Sequence, residues 1–282
     1  MGRVTRRQPV VRVGGARPGP SVDTVIVEEP LEVRLDGRPF QVTMRTPGQD
    51  IDLVHGLLHS EQVITEAAQV VLARYCAGSG PDGVNTYNVV DVTLGEGAVP
   101  PEPGLQRNVL TSSACGVCGS ASIDQVTRAS RYDIAPTTVS GELLLAAPGL
   151  VRPLQPAFAK TGGLHAAALL DPDGTVRCVR EDVGRHNAVD KVVGWALRED
   201  LLPLSEAILF VSSRASFELT QKAVLAGIGV LVAVSAPSSL AVELAEQAGL
   251  TLIGFARGDS MNIYTHPERV RLQGAEVVTA RS

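Results

Sequence analysis

The sequence predicts an α/β protein, with a helix-covered parallel sheet in its last third and a smaller β-rich α+β part before it. Three observations carry that expectation. Residues 207–257 alternate strand and helix as AILFVSS, ASFELTQKAVLAG, VLVAVS, SSLAVELAEQAG and TLIGFAR. The strands in that run are too continuously apolar to leave a wet face, as in sheets covered on both sides. Residues 22–94 carry short strand-like runs instead, with period-2 alternation and turn residues between them.

Taken in order, residues 1–20 are rich in Arg, Gly and Pro and lack the apolar core of a secretory signal, so a disordered leader is expected. Residues 21–100 are read as the β-rich domain. In it VDTVIVEEP and LEVRLDGRPFQVTMRTP form strands with a turn at Asp36-Gly37, and a helix follows in DIDLVHGLLHSEQVI. His55 and His59 share one face of that helix, but no nearby Glu or Cys completes a metal set, so they read as surface or core histidines. Residues 101–140 are a connector that carries TSSACGVCGSASID at 111–124. Residues 141–275 are the second domain. It runs from helix LLLAAPGL through strand LHAAALL, a turn at Asp171 to Gly174, strand TVRCVRE and a helix from about His186 into the regular final third. Residues 276–282 read as a tail.

With 44% hydrophobic and 20% charged residues in 282, the chain is of ordinary globular composition. A formal net charge of −5 offers no general attraction for nucleic acid. No run approaches the roughly 18 apolar residues that span a bilayer. Four cysteines without an export signal point to a reducing cytoplasm, with the thiols free.

Two places invite chemistry. The ends of three predicted strands read SSRAS (212–216), SAPSS (235–239) and FARGDS (255–260), small and polar as a backbone approaching a phosphate must be. Arg214 and Arg257 offer charge-assisted contacts there, and Asp259 an acceptor for a guanine-like edge; Ser216, Ser238 and Ser239 are also ordinary helix caps. The charged run REDVGRHNAVDK (180–191) is a solvated helix start or part of the site, and its density favours the site.

The second place is the CxxC of Cys115 and Cys118. As a zinc site it supplies half of a tetrahedral set, and Cys76, Cys178, His165 or His186 would have to supply the rest. An iron–sulfur cluster would need all four cysteines to converge, and the HxE and PCxxC of zinc deaminases are absent. A redox pair and a nucleophile both stay open. The flanking glycines leave the sulfur accessible, as transfer between two partners requires.

The segments SSACGVCGSAS, GGLHAAALL, REDVGRHNAVDKVVG, LFVSSRASFELTQKA, SAPSSLAVELAEQ and GFARGDSMNIYTHPERV, in this order, resemble the FdhD family, the formate dehydrogenase accessory sulfurtransferases. The likeness runs from about residue 22 to 272. It implies a sulfur carrier that takes sulfur from a cysteine desulfurase and delivers it to the molybdenum of a bis(molybdopterin guanine dinucleotide) cofactor for formate dehydrogenase, its client. Cys115 would carry the persulfide and Cys118 assist. Phe255, Ala256, Arg257, Gly258, Asp259 and Ser260 would bind the cofactor, for which a GDP-like nucleotide is a mimic. The resemblance further implies a cytidine-deaminase-like second domain without a metal, a homodimer, and a cytoplasmic protein with neither nucleic acid nor membrane as partner. The other reading is a chaperone that binds and inserts the cofactor without covalent sulfur transfer.

Overall fold

The computed structural model describes residues 4–76, 86–100 and 130–272. They form a mixed α/β structure with two main sheets.

The first lobe is a four-stranded sheet. Its strands are β3 (Glu29–Leu35), β4 (Arg38–Arg45), β5 (Val70–Cys76) and β6 (Val89–Leu94), in the order β4-β3-β6-β5. β1 (Thr5–Arg12) and β2 (Gly19–Ile26) precede it as a separate hairpin. The β3–β4 turn falls at Asp36 and Gly37, both left-handed, as its Asp-Gly pair predicts. Helix α1 (Asp50–Ser60) lays Leu53, Val54, Leu57 and Leu58 on Leu31, Val33, Val90 and Val92 of the sheet.

The β1–β2 hairpin corrects the expectation of a disordered leader over residues 1–20. Eight residue pairs run from Thr5↔Ile26 to Arg12↔Gly19, and Gly14 and Gly15 take the positive φ that its turn requires. The Arg and Pro content hid the β-branched pair Val10 and Val11, which face Ser21 and Pro20 of β2.

The second lobe contains β7 (Val139–Ser140), α2 (Gly141–Val151), α3 (Pro156–Thr161), β8 (His165–Leu170), β9 (Val176–Asp182) and α4 (Arg185–Arg198). It continues through β10 (Ile208–Val211), α5 (Phe217–Leu225), β11 (Val230–Ala233), α6 (Ser239–Ala248), β12 (Thr251–Arg257), β13 (Ser260–Ile263) and β14 (Val270–Arg271). Its large sheet has the order β13-β12-β11-β10-β8-β9. Successive side chains of β10 go to opposite cores: Leu209 and Val211 meet α4, α5 and α6, while Ile208 and Phe210 meet α2. That double burial explains the unbroken apolar strands.

β10, β11 and β12, the strands expected to form a parallel sheet, do pair in parallel, while the strands added on either side make the whole sheet mixed. β8 and β9 are joined by the short turn at Asp171–Gly174, which forces them antiparallel, and β13 folds back on β12.

The lobes meet where α1 crosses α4. A Cβ on Gly56 would lie 1.9 Å from the Asp190 carbonyl oxygen, and one on Gly194 would lie 1.8 Å from that of Asp52. The two backbones are therefore in direct contact. Beside the crossing, Asp52 accepts hydrogen bonds from Arg180 (2.9 and 3.1 Å) and Arg198 (2.6 Å).

Candidate functional site

The three strand ends come together along one edge of the sheet. Ser235 N–H donates to the Ser213 carbonyl (3.3 Å), Ser238 N–H to Ala215 (3.0 Å) and Phe255 N–H to Ser235 (3.3 Å). Behind the first two ends, α5 and α6 begin and point their N-termini at this edge. Ser238 is a helix cap, since its hydroxyl accepts from Ala241 N–H. Ser216 makes no such cap bond, and its buried hydroxyl has no hydrogen-bond partner among the described residues.

The third end differs from the other two, which lead into helices. FARGDS is the end of β12, a turn at Gly258 and Asp259, and the first residue of β13, with Arg257 paired to Ser260. No helix N-terminus lies there. A register shift between Gly254 and Arg257 leaves Phe255 at φ 54°, an uncommon conformation for an aromatic residue, and the Arg257 guanidinium sits 5.7 Å from its ring centre. Ala256 is fully buried in the α2 core, so its side chain is structural, whereas Arg257, Gly258, Asp259 and Ser260 are exposed. Gly254 is required by space: a Cβ there would stand 2.9 Å from Pro237 Cδ and 3.1 Å from the Ser235 carbonyl oxygen.

The charged run 180–191 resolves largely into structural pairs, against the expectation that its density marks a site. Fully buried Asp182 and Lys191 are 2.7 Å apart, and Lys191 also donates to the Thr46 carbonyl (3.0 Å). Asp182 accepts from Thr46 N–H (3.1 Å), Gly184 N–H (2.8 Å) and Asn187 (3.1 Å), which ties the end of β4 to α4. Asp190 meets Lys222 (2.6 Å), and His186 meets Glu218 (2.5 Å). Glu181 accepts the Ala157 and Phe158 N–H groups at the start of α3. What this region adds to the strand-end edge is the start of α4 with Arg185, beside His165 at the start of β8. Burial, then Arg185 and His186, lower the His165 pKa. The sequence weighs His165 only as a metal ligand, and nothing local signals that the Arg185 cation acts on it.

Cys115 and Cys118 lie outside the described residues. The described residues on either side of that segment, Val99 and Arg131, both meet the stretch after α1. Val99 N–H donates to the Val63 carbonyl (2.8 Å), and Arg131 reaches Glu66 (3.2 Å). Cys76 is in β5 and Cys178 in the core under α4, where burial pushes its thiol up to about 11 and keeps it protonated. Among the described residues no three His, Cys, Asp or Glu side chains converge on a metal position. No helix among them is long and apolar enough to cross a membrane.

His55 and His59 are both buried in α1, and His55 Nδ1 meets the Ile51 carbonyl at 2.7 Å. His59 is pushed down to about 4, first by burial and then by the Lys222 and Arg131 cations. It stays neutral in the fold while the unfolded chain would protonate it near 6.5. The stability this leaves intact above about pH 6.5 is lost as pH falls toward 4. His59→Gln should therefore flatten the decline of the unfolding midpoint between those pH values, and equal slopes in urea titrations would remove His59 as the cause.

A family model described as the FdhD/NarQ family matches residues 26–271. A protein named sulfur carrier protein FdhD from Nocardia farcinica is 55% identical over 281 residues, 99% of each chain. One of the same name from Streptomyces coelicolor is 55% identical over 278 residues, 98% of this chain and 99% of the other. A solved structure from Desulfotalea psychrophila, described as a candidate formate dehydrogenase accessory protein, superposes with a TM-score of 0.72 at 21% identity. It covers 95% of this chain and 100% of its own. At that identity the likeness bears on the fold.

Proposed function

Because this chain belongs to the FdhD/NarQ family, we propose that it is a sulfur carrier in the maturation of formate dehydrogenase, with Cys115 as the carrying thiol. The observation that carries the reading is the near-full-length similarity to proteins named sulfur carrier protein FdhD. The Cys115 thiolate attacks the outer sulfur of a cysteine desulfurase persulfide, forming a new S–S bond and releasing the desulfurase cysteine as its thiolate. The outer sulfur then passes to the molybdenum of bis(molybdopterin guanine dinucleotide), which is the substrate. The S–S bond breaks with its electron pair staying on Cys115, and the reduced metal supplies the two electrons that make the transferred atom a sulfide. Cys118 assists by shielding the emptied Cys115 thiolate.

Guanine nucleotide moieties of the cofactor rest on the strand ends. Arg257 and Arg214 contact phosphate, and Asp259 accepts from the base edge. The adjacency of the three ends and the two helix N-termini behind them support this. We read the second lobe as a cytidine-deaminase-like domain, supported by its sheet between α2 and α4–α6, and the protein as a cytoplasmic homodimer. Mass spectrometry after incubation with a desulfurase and cysteine tests the carrier role. The wild type and Cys118→Ala should gain the mass of one sulfur and Cys115→Ala none. Loading of Cys115→Ala to the wild-type level would overturn the assignment.

A further inference from the structure

The β1–β2 hairpin stands apart from both main sheets as a two-stranded ribbon. No residue from Val4 to Glu28 is buried. With eight paired positions on each strand, the ribbon is about 25 Å long at ~3.4 Å per residue. Its base is supported where Ile26 meets Gly163 at the end of α3, since a Cβ on that glycine would lie 3.5 Å from Ile26 Cγ2. Its tip stands in solvent, with Val13 92% exposed. A two-stranded hairpin is marginally stable in water unless a further layer covers one of its faces.

The two faces differ. Pairing of Pro9 with Val22 and of Val11 with Pro20 places these four side chains together on one face. All four are exposed, Val11 at 75% and Val22 at 49%. Arg7 borders that face toward the base, Arg6 and Arg12 lie on the opposite one, and Arg17 lies in the connection between the strands. None of the four arginines makes an ion pair among the described residues. A third strand does not suit this ribbon. Proline has no N–H to give a ladder and is tolerated where its nitrogen faces outward, so Pro9 and Pro20 each blunt the outer edge of their strand. What remains for a partner is the apolar face with cations around it.

Charge decides which partner fits. Residues 5–26 hold four Arg and one Asp, a net +3, so in a chain of net −5 the remaining residues carry −8. The protein's own body thus has the complementary sign, yet it leaves these arginines unpaired among the described residues. A second copy presents the same acidic body in another orientation, and a twofold axis lets two ribbons be covered reciprocally. We propose that the β1–β2 hairpin is an arm that lies across a second copy of this chain, with Pro9, Val11, Pro20 and Val22 against it and the arginines paired to its carboxylates. The proposal rests on the homodimer reading given above and deepens it by naming a surface that holds the two copies together.

The test uses the full chain. Val11→p-benzoylphenylalanine, irradiated in the purified protein, should give a cross-linked product of twice the chain mass. Sedimentation equilibrium supplies the dimer dissociation constant. Val11→Asp, at a position too exposed to matter to the fold of one copy, should raise that constant about tenfold or more. Arg7→Glu, Arg12→Glu and Arg17→Glu together should raise it at low salt and do less at 1 M, where charges are screened beyond about 3 Å. A chain that sediments as a monomer at every concentration would overturn the homodimer reading and this proposal together. A dimer that Val11→Asp and the charge reversal leave untouched, and in which position 11 makes no cross-link to the other copy, would overturn the arm alone.

Discussion

Replacing Gly194 with alanine is expected to force the two lobes apart. The new methyl would overlap the Asp52 carbonyl oxygen at 1.8 Å, and Asp52 cannot yield, since Arg180 and Arg198 hold its side chain. Overpacking of a tight core costs about 1–3 kcal/mol, and a backbone-to-backbone contact belongs at or above the upper end. At roughly 2–4 °C per kcal/mol for a chain of this size, the thermal midpoint should fall by about 6 °C or more. Gly149→Ala is the matched control. It lies in α2, where an added methyl would meet nothing within 4 Å, so the same substitution should be neutral or stabilise by up to about 1 kcal/mol through helix propensity. Equal melting curves for the two variants would show that the α1–α4 crossing does not limit stability.

Lys191→Met should be comparably damaging for an electrostatic reason. It leaves the fully buried Asp182 carboxylate without its cation, 2.7 Å away in the wild type. Breaking one side of a buried pair costs about 3–5 kcal/mol, because the remaining charge has been stripped of water. Adding Asp182→Asn should recover part of that loss by removing the charge. The recovery stays incomplete because the carboxylate also accepts the Thr46, Gly184 and Asn187 donors, and an amide cannot serve them all. Urea denaturation of the two variants decides it: a double variant no more stable than Lys191→Met would mean that packing, not charge, governs the site.

The alternating core was legible because β8, β10, β11 and β12 are buried on both sides and so write their positions as apolar runs. The mixed strand directions were not, since a buried antiparallel strand such as LHAAALL has the same composition as a parallel one. FARGDS was correctly seen as a strand end, and the turn at Gly258 then sends the chain back as β13, a strand its sequence did not announce. The run at 180–191 misled for a different reason. Apart from the Asp182–Lys191 pair inside the run, its partners are Asp52, Thr46 and Lys222, far away in the sequence, so most of its charges looked unmatched locally while the fold pairs them.

The glycine crossing also constrains how such a chain can be recombined. Gly56 and Gly194 each make room for the other helix's backbone, so neither lobe's surface is complete without the other's glycine. A chimera joined anywhere between α1 and α4 inherits one half of that contact from each parent. It will assemble only when both parents bring a glycine to the crossing, however well their separate sheets fold.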